Sequence, residues 1–401
     1  MQTETIAIVK ATVPAIQASG EAITQHFYRL LFAENPELQH VFNMASQANG
    51  RQQSTLAAAI LGYAANIDNL AALGGAVEKI AMKHFSLDIT PPQYETVGRN
   101  LLKAIRAVLG EEVATDSVLQ AWAEAYQQLA DILIGREQQL YAQAEAEGWS
   151  GFKAFSVTRI VDESDEIRSI YLRPVDGKPL PVYLPGQFIS MKVVNPDWEH
   201  EEIRQYSLSD RHTPEGYRIS VKREPAPVAG IPEGRVSNYL HTQIREGSQL
   251  AIHMPGGDLL LQQNRRPVVL ISGGVGITPM LSMLNELMLN QDDRKIVWLH
   301  GTRNQKSHAF AEHIHCLKRD YPDLTAATFY DAPAGVRQGV DYDHQGYITA
   351  DWLAHYCPED AEYYFCGPVP FMKAIYRQLK ARGVEDERLH YEVFGPGESL
   401  A

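Results

Sequence analysis

The apolar residues of this chain change their period twice, and that constrains its architecture more than any other feature. Up to about residue 141 they recur at helical spacing. Ile23, Phe27, Leu30 and Leu31 fall at i, i+4, i+7 and i+8; Val77, Ile80, Ala81 and His84 fall at i, i+3, i+4 and i+7; Trp122, Tyr126, Leu129 and Leu133 repeat the stripe. Pro91-Pro92 marks a helix start, where a missing N–H costs nothing. A turn-rich junction, Glu147-Gly148-Trp149-Ser150-Gly151, follows. Beyond it the period is two. Phe155-Ser156-Val157-Thr158-Arg159-Ile160-Val161 and Tyr217-Arg218-Ile219-Ser220-Val221 alternate, and 167–172, 188–193 and 250–254 add strand candidates. From about Arg266, continuous apolar runs at 268–271, 296–299 and 363–365 are separated by helical stretches, as in a parallel sheet covered on both faces. The expectation is a multidomain chain: an all-α domain at 1–140, an antiparallel β-barrel at 152–262 and an α/β parallel-sheet domain at 263–401.

The 401 residues are 45% apolar and 21% charged, which excludes a disordered chain or a disulfide framework. Asp+Glu at 49 against Lys+Arg at 36 gives a formal charge of −13, a poor match to a phosphate backbone. Cys316, Cys357 and Cys366 form no C-x-x-C or zinc spacing, and a reducing compartment is the simplest reading. No signal-peptide pattern is visible, and the most apolar stretch, 268–289, is broken by Gly273, Gly274, Gly276 and Pro279. The expected setting is the cytoplasm. The expected partners are small molecules, without nucleic acid, integral membrane segment or obligate protein partner.

Within the helical region, His84 sits on the apolar stripe of its helix. Alone it reads as a core histidine bonded to a backbone carbonyl. Tyr94 shares a stripe with Val97 and Leu101, and Glu137 continues the Tyr126/Leu129/Leu133 stripe, so a carboxylate points inward. Such a carboxylate needs a donor. A neutral histidine Nδ1–H and a tyrosine hydroxyl would suit it, leaving the other ring nitrogen for a metal. Phe27, Tyr28, Phe42, Gln52 and Leu56 offer aromatic and polar groups among apolar ones, and singly they read as core packing plus an exposed Gln.

These strings, taken in order, resemble the globin domain of flavohaemoglobins: His26-Phe27-Tyr28, Asn35-Pro36-Glu37-Leu38, Val41-Phe42-Asn43-Met44, Lys83-His84, Pro92-Gln93-Tyr94 and Arg136-Glu137. The resemblance implies haem b, with His84 as the proximal iron ligand and Phe42 packed on the porphyrin. Tyr28 and Gln52 would be distal donors over bound oxygen, with Leu56 as a wall. Tyr94 and Glu137 would form the proximal network with His84. Lys83 would face the flavin side and a propionate.

In the second region, Arg204-Gln205-Tyr206-Ser207 forms a strand string after Pro185-Gly186-Gln187-Phe188, and Gly234-Arg235-Val236-Ser237-Asn238-Tyr239-Leu240 reads as a glycine turn entering a helix N-terminus. Order and spacing resemble the ferredoxin–NADP reductase family over 152–401. That resemblance assigns Arg204 to the flavin pyrophosphate of FAD, Tyr206 and Ser207 to the isoalloxazine, and Gln187-Phe188 to its flank. Gln205, Gly234, Val236 and Ser237 complete the flavin set. The segment 224–230, rich in Pro and Ala, reads as a surface loop.

The third region carries Ser272-Gly273-Gly274-Val275-Gly276-Ile277-Thr278 after a buried strand. This is not G-x-G-x-x-G, yet glycines there still let backbone amides approach a phosphate at a helix start. Tyr364-Phe365-Cys366-Gly367-Pro368 and Tyr391-Glu392-Val393-Phe394-Gly395-Pro396 follow. The same resemblance implies that residues 273–278 hold the phosphates of NAD(P)H. Cys366, Gly367 and Pro368 would line the nicotinamide site. Phe394 would cover the flavin, with Glu392, Val393 and Gly395 beside it. A lone Cys366 reads as a core thiol. Arg303 suits either a 2′-phosphate or solvent.

Taken over the whole chain, the resemblance to flavohaemoglobins implies a nitric oxide dioxygenase, with electrons passing from NAD(P)H through FAD to haem and nitric oxide plus O2 leaving as nitrate. The alternatives are an oxygen-binding or sensing globin with a maintenance reductase, and a general flavin reductase. A reductase fused one-to-one favours the enzyme, because a carrier needs no dedicated electron supply.

Overall fold

The computed structural model describes residues 1–42, 44, 50–226, 233–395 and 400. Asn43, residues 227–230 of the Pro/Ala-rich loop, and Pro396 lie outside the described residues. The chain divides into two compact units, Met1–Phe152 with Lys192–Arg204, and Lys153–Met191 with Gln205–Ala401.

The first unit is built on helices α1 (Thr3–Glu34), α2 (Arg51–Ala65), α3 (Gly74–Ser86), α4 (Pro91–Leu109) and α5 (Asp116–Ala146), with 3-10 turns at Pro36–His40 and Leu70–Leu73. Pro91 opens α4 as the sequence predicts. Thr90 caps it, its backbone N–H donating to Gln93 Oε1 at 2.7 Å while its side chain faces the first turn. Phe27, Tyr28, Leu31, Leu101, Ile105 and Trp122 share one apolar core, where α1 packs on α2, α4 and α5. The buried Trp122 indole is satisfied by Thr12 Oγ1 at 2.9 Å. Among the described residues before Phe152 there is no strand.

The second architecture is a six-stranded sheet: β1 (Phe152–Asp162), β2 (Ile167–Pro174), β3 (Phe188–Val193), β4 (Glu202–Ser207), β5 (Tyr217–Lys222) and β6 (Gln249–His253). Its order is β4-β3-β6-β1-β2-β5. β1 and β5 both run antiparallel to β2. An antiparallel bridge between Leu208, just past β4, and Ile219 of β5 joins the two ends of that order, which gives the expected barrel. Helix α6 (Arg235–Thr242) spans the gap between β5 and β6.

A parallel sheet follows, with β7 (Val268–Gly273), β8 (Ile296–Thr302), β9 (Leu324–Tyr330), β10 (His344–Gln345), β11 (Glu362–Cys366) and β12 (Leu389–Tyr391) in the order β10-β9-β8-β7-β11-β12. Helices α7 (Ile277–Leu289), α8 (Ala311–Asp320), α9 (Ala350–Tyr356) and α10 (Val369–Ala381) connect the strands. Alternate residues of β7 serve opposite cores. Val268 and Leu270 pack with Met280 and Leu284 of α7, while Val269 and Ile271 pack with Met372 and Leu379 of α10. The strand order reverses between β7 and β11. A reversal of this kind opens a crevice at the carboxyl ends of the two strands.

Candidate functional site

His84 lies in the last turn of α3, Tyr94 in the first turns of α4 and Glu137 on α5. The structure brings the three together. His84 Nδ1 is 2.6 Å from Tyr94 Oη and 2.9 Å from Glu137 Oε1, and the Tyr94 hydroxyl donates to the same Oε1 at 2.5 Å. Glu137 is buried, whereas 31% of the His84 side chain is exposed. The reading of His84 as a core histidine bonded to a carbonyl is therefore not what forms. With Nδ1–H donating to the carboxylate, Nε2 carries the lone pair on the ring's other side. Burial, and then the Glu137 carboxylate, push the Tyr94 hydroxyl upward in pKa, so it stays a protonated donor.

Two supports of this triangle were assigned no role from the sequence. Tyr126 Oη donates to the Tyr94 carbonyl at 2.6 Å, and the ring fits because residue 98 is glycine. A Cβ there would stand 2.4 Å from Tyr126 Cε1. Arg136, next to Glu137, pairs with Glu78 of α3.

Elsewhere in the unit, the buried Tyr28 ring meets Phe42 edge-on at 5.7 Å and Phe32 at 5.8 Å. Phe42 and Leu56 are partly buried against the same cluster as Tyr28. Gln52, one turn before Leu56 on α2, carries a buried Oε1 with no partner among the described residues. A buried orphan amide marks a place where a further group is expected. Lys83 is exposed at the end of α3.

Among the candidate flavin residues, Arg204 Nη1 holds the buried Glu202 Oε2 at 2.8 Å. Gln205 and Tyr206 are half-buried, and Ser207 is buried with an unpartnered Oγ. Gln187 closes its turn by accepting from the Leu184 N–H at 2.9 Å. The buried Phe188 ring packs on Gly257, where a Cβ would come within 3.1 Å. Gly234 leads into α6, where a Cβ would stand 2.7 Å from Ser237 Oγ; Val236 is buried. Asn238, which sequence reasoning left without a role, donates to Glu224 O at 2.8 Å and Gly234 O at 3.0 Å and so fixes the helix start.

Beyond β7, a short 3-10 turn (Gly274–Gly276) enters α7. Gly274 has φ +52° and open space at its Cβ position, while a Cβ on Gly276 would stand 2.2 Å from the Cys366 carbonyl oxygen. Gly367 is as tight, its Cβ position 2.7 Å from Phe371 Cδ1 and 3.1 Å from Gly273 Cα. The two turns at the switch point interlock through glycine backbones, and a glycine turn at a helix start suits a phosphate. Val275 is half-buried, Ile277 is wholly buried, and the Thr278 hydroxyl donates to Val275 O at 3.0 Å. Pro368 precedes α10.

Cys366 differs from the expectation of a site-lining thiol. Its side chain is wholly buried and its Sγ donates to Glu392 O at 3.4 Å; burial holds the thiol protonated. What it offers the turn is its carbonyl. Val393 packs on the sheet core, Phe394 is 43% exposed, and Gly395 has φ +144°. Arg303 pairs with Glu166.

The donor set fits three bound groups: an imidazole nitrogen aimed away from its anchoring carboxylate for haem, a buried serine oxygen without a partner on β4 for flavin, and a glycine cradle for a dinucleotide. Among the described residues no cluster of three His, Cys, Asp or Glu side chains could hold a bare metal ion, and no helix is long and apolar enough to cross a membrane.

A globin family model matches residues 25–133, and an oxidoreductase NAD-binding domain model matches residues 270–377. The chain is 48% identical to the flavohemoprotein of Bordetella pertussis over 99% of each chain, and 44% identical to that of Bacillus anthracis over 100% of each. Its structure is similar to a flavohemoglobin from Malassezia yamatoensis with bound FAD and heme, at TM-score 0.86 and 25% identity, covering 98% of this chain and 99% of that one. It is also similar to the FAD/NAD-binding domain of nitric oxide dioxygenase from Vibrio cholerae, at TM-score 0.56 and 36% identity, covering 62% of this chain and 100% of that one. With curated relatives this similar over their full length, the chain belongs to the flavohemoprotein family.

Proposed function

We propose that the chain is a nitric oxide dioxygenase that removes nitric oxide in the cytoplasm with NAD(P)H as electron source. Residues 1–140 would hold haem b, 152–262 FAD and 263–401 the nicotinamide dinucleotide. FAD supplies the step from a two-electron hydride donor to one-electron delivery, and haem iron supplies a one-electron centre with an open position for a diatomic gas. Nitric oxide, O2 and one electron balance to nitrate, so each reduced nicotinamide supports two turnovers.

The observation that carries this reading is the triangle of His84, Tyr94 and Glu137. The carboxylate accepts the Nδ1 proton, which makes Nε2 a stronger donor and favours oxygen activation over storage. The Tyr94 proton stays on its hydroxyl and holds Glu137 in place. On the distal side Tyr28 and Gln52 supply polar groups in an otherwise apolar wall, where low dielectric strengthens a hydrogen bond to developing charge. In the reductase half, Arg204, Tyr206, Ser207 and the start of α6 bind flavin, with Gln187, Phe188, Gln205, Glu392 and Phe394 around it. Residues 273–278 with 366–368 bind the dinucleotide through backbone amides.

Stopped-flow consumption of nitric oxide with NADH in air tests this. Stoichiometric nitrate is expected, with Glu137→Gln and Tyr28→Phe slower by at least about tenfold. Nitric oxide loss that is equally fast without NADH over many turnovers would sink it.

A further inference from the structure

Helix α7 begins at the glycine turn proposed to hold the dinucleotide, and its next turns are tied to Asp210 in the loop between β4 and β5, within one compact unit. Ser282 Oγ donates to the Asp210 carbonyl at 2.6 Å, and Asn285 Nδ2 donates to Asp210 Oδ1 at 2.8 Å. The Asn285 amide has one orientation. Its Oδ1 accepts from His313 Nε2 of α8 at 2.7 Å, so its Nδ2 faces the carboxylate. The barrel holds the same residue from its own side. Tyr183 Oη donates to the Asp210 carbonyl at 2.6 Å, and Arg218 Nη1 of β5 lies 3.2 Å from Oδ2. Ser282 and Tyr183 are buried.

Short, rigid stretches lead from this contact to both proposed binding sites. Asp210 is three residues past Ser207, and the backbone between them is pinned: the Leu208 N–H donates to Gln187 O at 2.9 Å and the Ser209 N–H to Arg218 O at 2.9 Å. Ser282 is six residues past Gly276, and every residue from 277 to 284 on α7 is buried. The same helix meets the turn before β3, where a Cβ on Gly186 would stand 2.6 Å from Met283 Cε. The surrounding face of α7 is apolar, with Met280, Leu281 and Leu284 wholly buried. Apolar packing is non-directional and lets a helix slide by fractions of an ångström; two directional bonds to one residue fix its register.

We propose that Asp210 is a positioning residue for hydride transfer from the dinucleotide to the flavin: by accepting from Ser282 and Asn285 it fixes the start of α7 against Ser207 and the end of the flavin strand. This rests on the reductase half of the functional reading above. The hydride carries both electrons from the reduced nicotinamide to the flavin, so the step needs no further reactant. Reacting atoms must be held about 3–3.5 Å apart, and a displacement of about 1 Å costs as much as a hundredfold in rate.

The test uses the full chain loaded with haem and FAD, in anaerobic stopped flow at about pH 8, above the ordinary carboxylate range. The flavin band is followed against concentration of whichever of NADH and NADPH reduces the wild type faster. Hydrogen exchange of the Ser209 amide supplies a readout independent of turnover. Asn285→Asp sets a second carboxylate against that of Asp210. It should slow the limiting rate of flavin reduction by about tenfold and speed Ser209 exchange by about fivefold. The half-saturating concentration should stay within about twofold, because the cradle itself is untouched. Asn285→Ala, which only removes the donor, should slow the limiting rate by about threefold. Combining Asn285→Asp with Asp210→Asn exchanges donor and acceptor and should restore both rate and exchange. An unchanged limiting rate in Asn285→Asp would overturn the proposal, as would a loss confined to half-saturation, or a double variant that recovers exchange without the rate. A wild-type flavin reduced by neither NADH nor NADPH would instead sink the functional reading, and this inference with it.

Discussion

Arg136 grips Glu78 with two nitrogens, Nε to Oε2 at 2.7 Å and Nη2 to Oε1 at 2.8 Å. Glu78 lies on α3 six residues before His84, and Arg136 immediately precedes Glu137 on α5. The fork fastens the helix of the candidate ligand to the helix of the carboxylate that orients it, and the two-point geometry resists rotation of either.

The Arg136 guanidinium holds the Glu78 carboxyl below the usual glutamate range. A depressed folded-state value means the stabilisation is present above the ordinary carboxylate range and is lost as pH falls through the lowered value. Both side chains are partly exposed, so solvent screening limits the effect to about 0.5 kcal/mol. Arg136→Gln should lower the helical unit's Tm at neutral pH by about 1–2 °C. The gap to wild type should shrink in acid, in melts followed by circular dichroism. An equal loss at both pH values would assign the effect to packing instead of charge.

Gly98→Ala places a methyl group 2.4 Å from the Tyr126 ring. Tyr126 is tied to the Tyr94 carbonyl, so it cannot retreat without releasing the tyrosine that steadies Glu137. Overpacking of this kind costs about 1–3 kcal/mol. A lower unfolding midpoint in denaturant is expected, with a wild-type spectrum of any flavin bound at the other end of the chain.

Gly276→Ala drives a Cβ to within 2.2 Å of the Cys366 carbonyl, which is backbone and cannot swing aside. The turn must open, and the amides proposed to hold the dinucleotide move with it. Flavin reduction by NADH should fall by at least about tenfold, through KM more than through kcat, since uniform binding is what is lost. Carbon monoxide binding to dithionite-reduced haem should be unaffected. A KM within twofold of wild type would remove these amides from the site.

His300 and His308 stack at 5.0 Å in the core of the parallel-sheet domain, His300 Nδ1 bonded to Ser272 Oγ at 2.8 Å and His308 Nδ1 to Tyr330 Oη at 2.8 Å. Burial drives both imidazoles down, His308 to about 4 and His300 well below the ordinary value. The sign follows from proton uptake. Between the ordinary histidine value of about 6.5 and the folded value, the unfolded chain binds protons that the folded chain refuses, so stability falls as pH falls. Each histidine should contribute about 1 kcal/mol per pH unit in that window. His308→Asn, which keeps a polar partner for Tyr330, should reduce the slope of urea midpoint against pH between about 6 and 5. A slope identical to wild type would rule out His308 as its source.

Periodicity alone places His84, Tyr94 and Glu137 on inward stripes of three helices, because apolar spacing reports which face of a helix is buried. That they meet at one oxygen required the fold. The barrel and the parallel sheet were legible for the same reason, as alternation in one and continuous apolar strands in the other. The pairing of Arg136 with Glu78 and the role of Gly98 were not. Exposed charges leave no periodic trace, and a glycine inside a helix reads as a weak helix former until the ring it admits is seen. Cys366 shows the opposite failure: the motif around it is informative, but the thiol itself points into the core and the backbone carries the contact. The packing of Lys192–Arg204 with the helices is a long-range choice that strand pattern cannot express.

That choice has a practical corollary for dissecting the chain. A fragment stopped after residue 150 would contain every helix of the first unit yet lack the strap formed by Lys192–Arg204, baring the surface on which His40 meets Glu201. The complementary fragment would carry the strap with nothing to rest on. Measurements on the excised helices would therefore describe a unit stripped of one of its own segments.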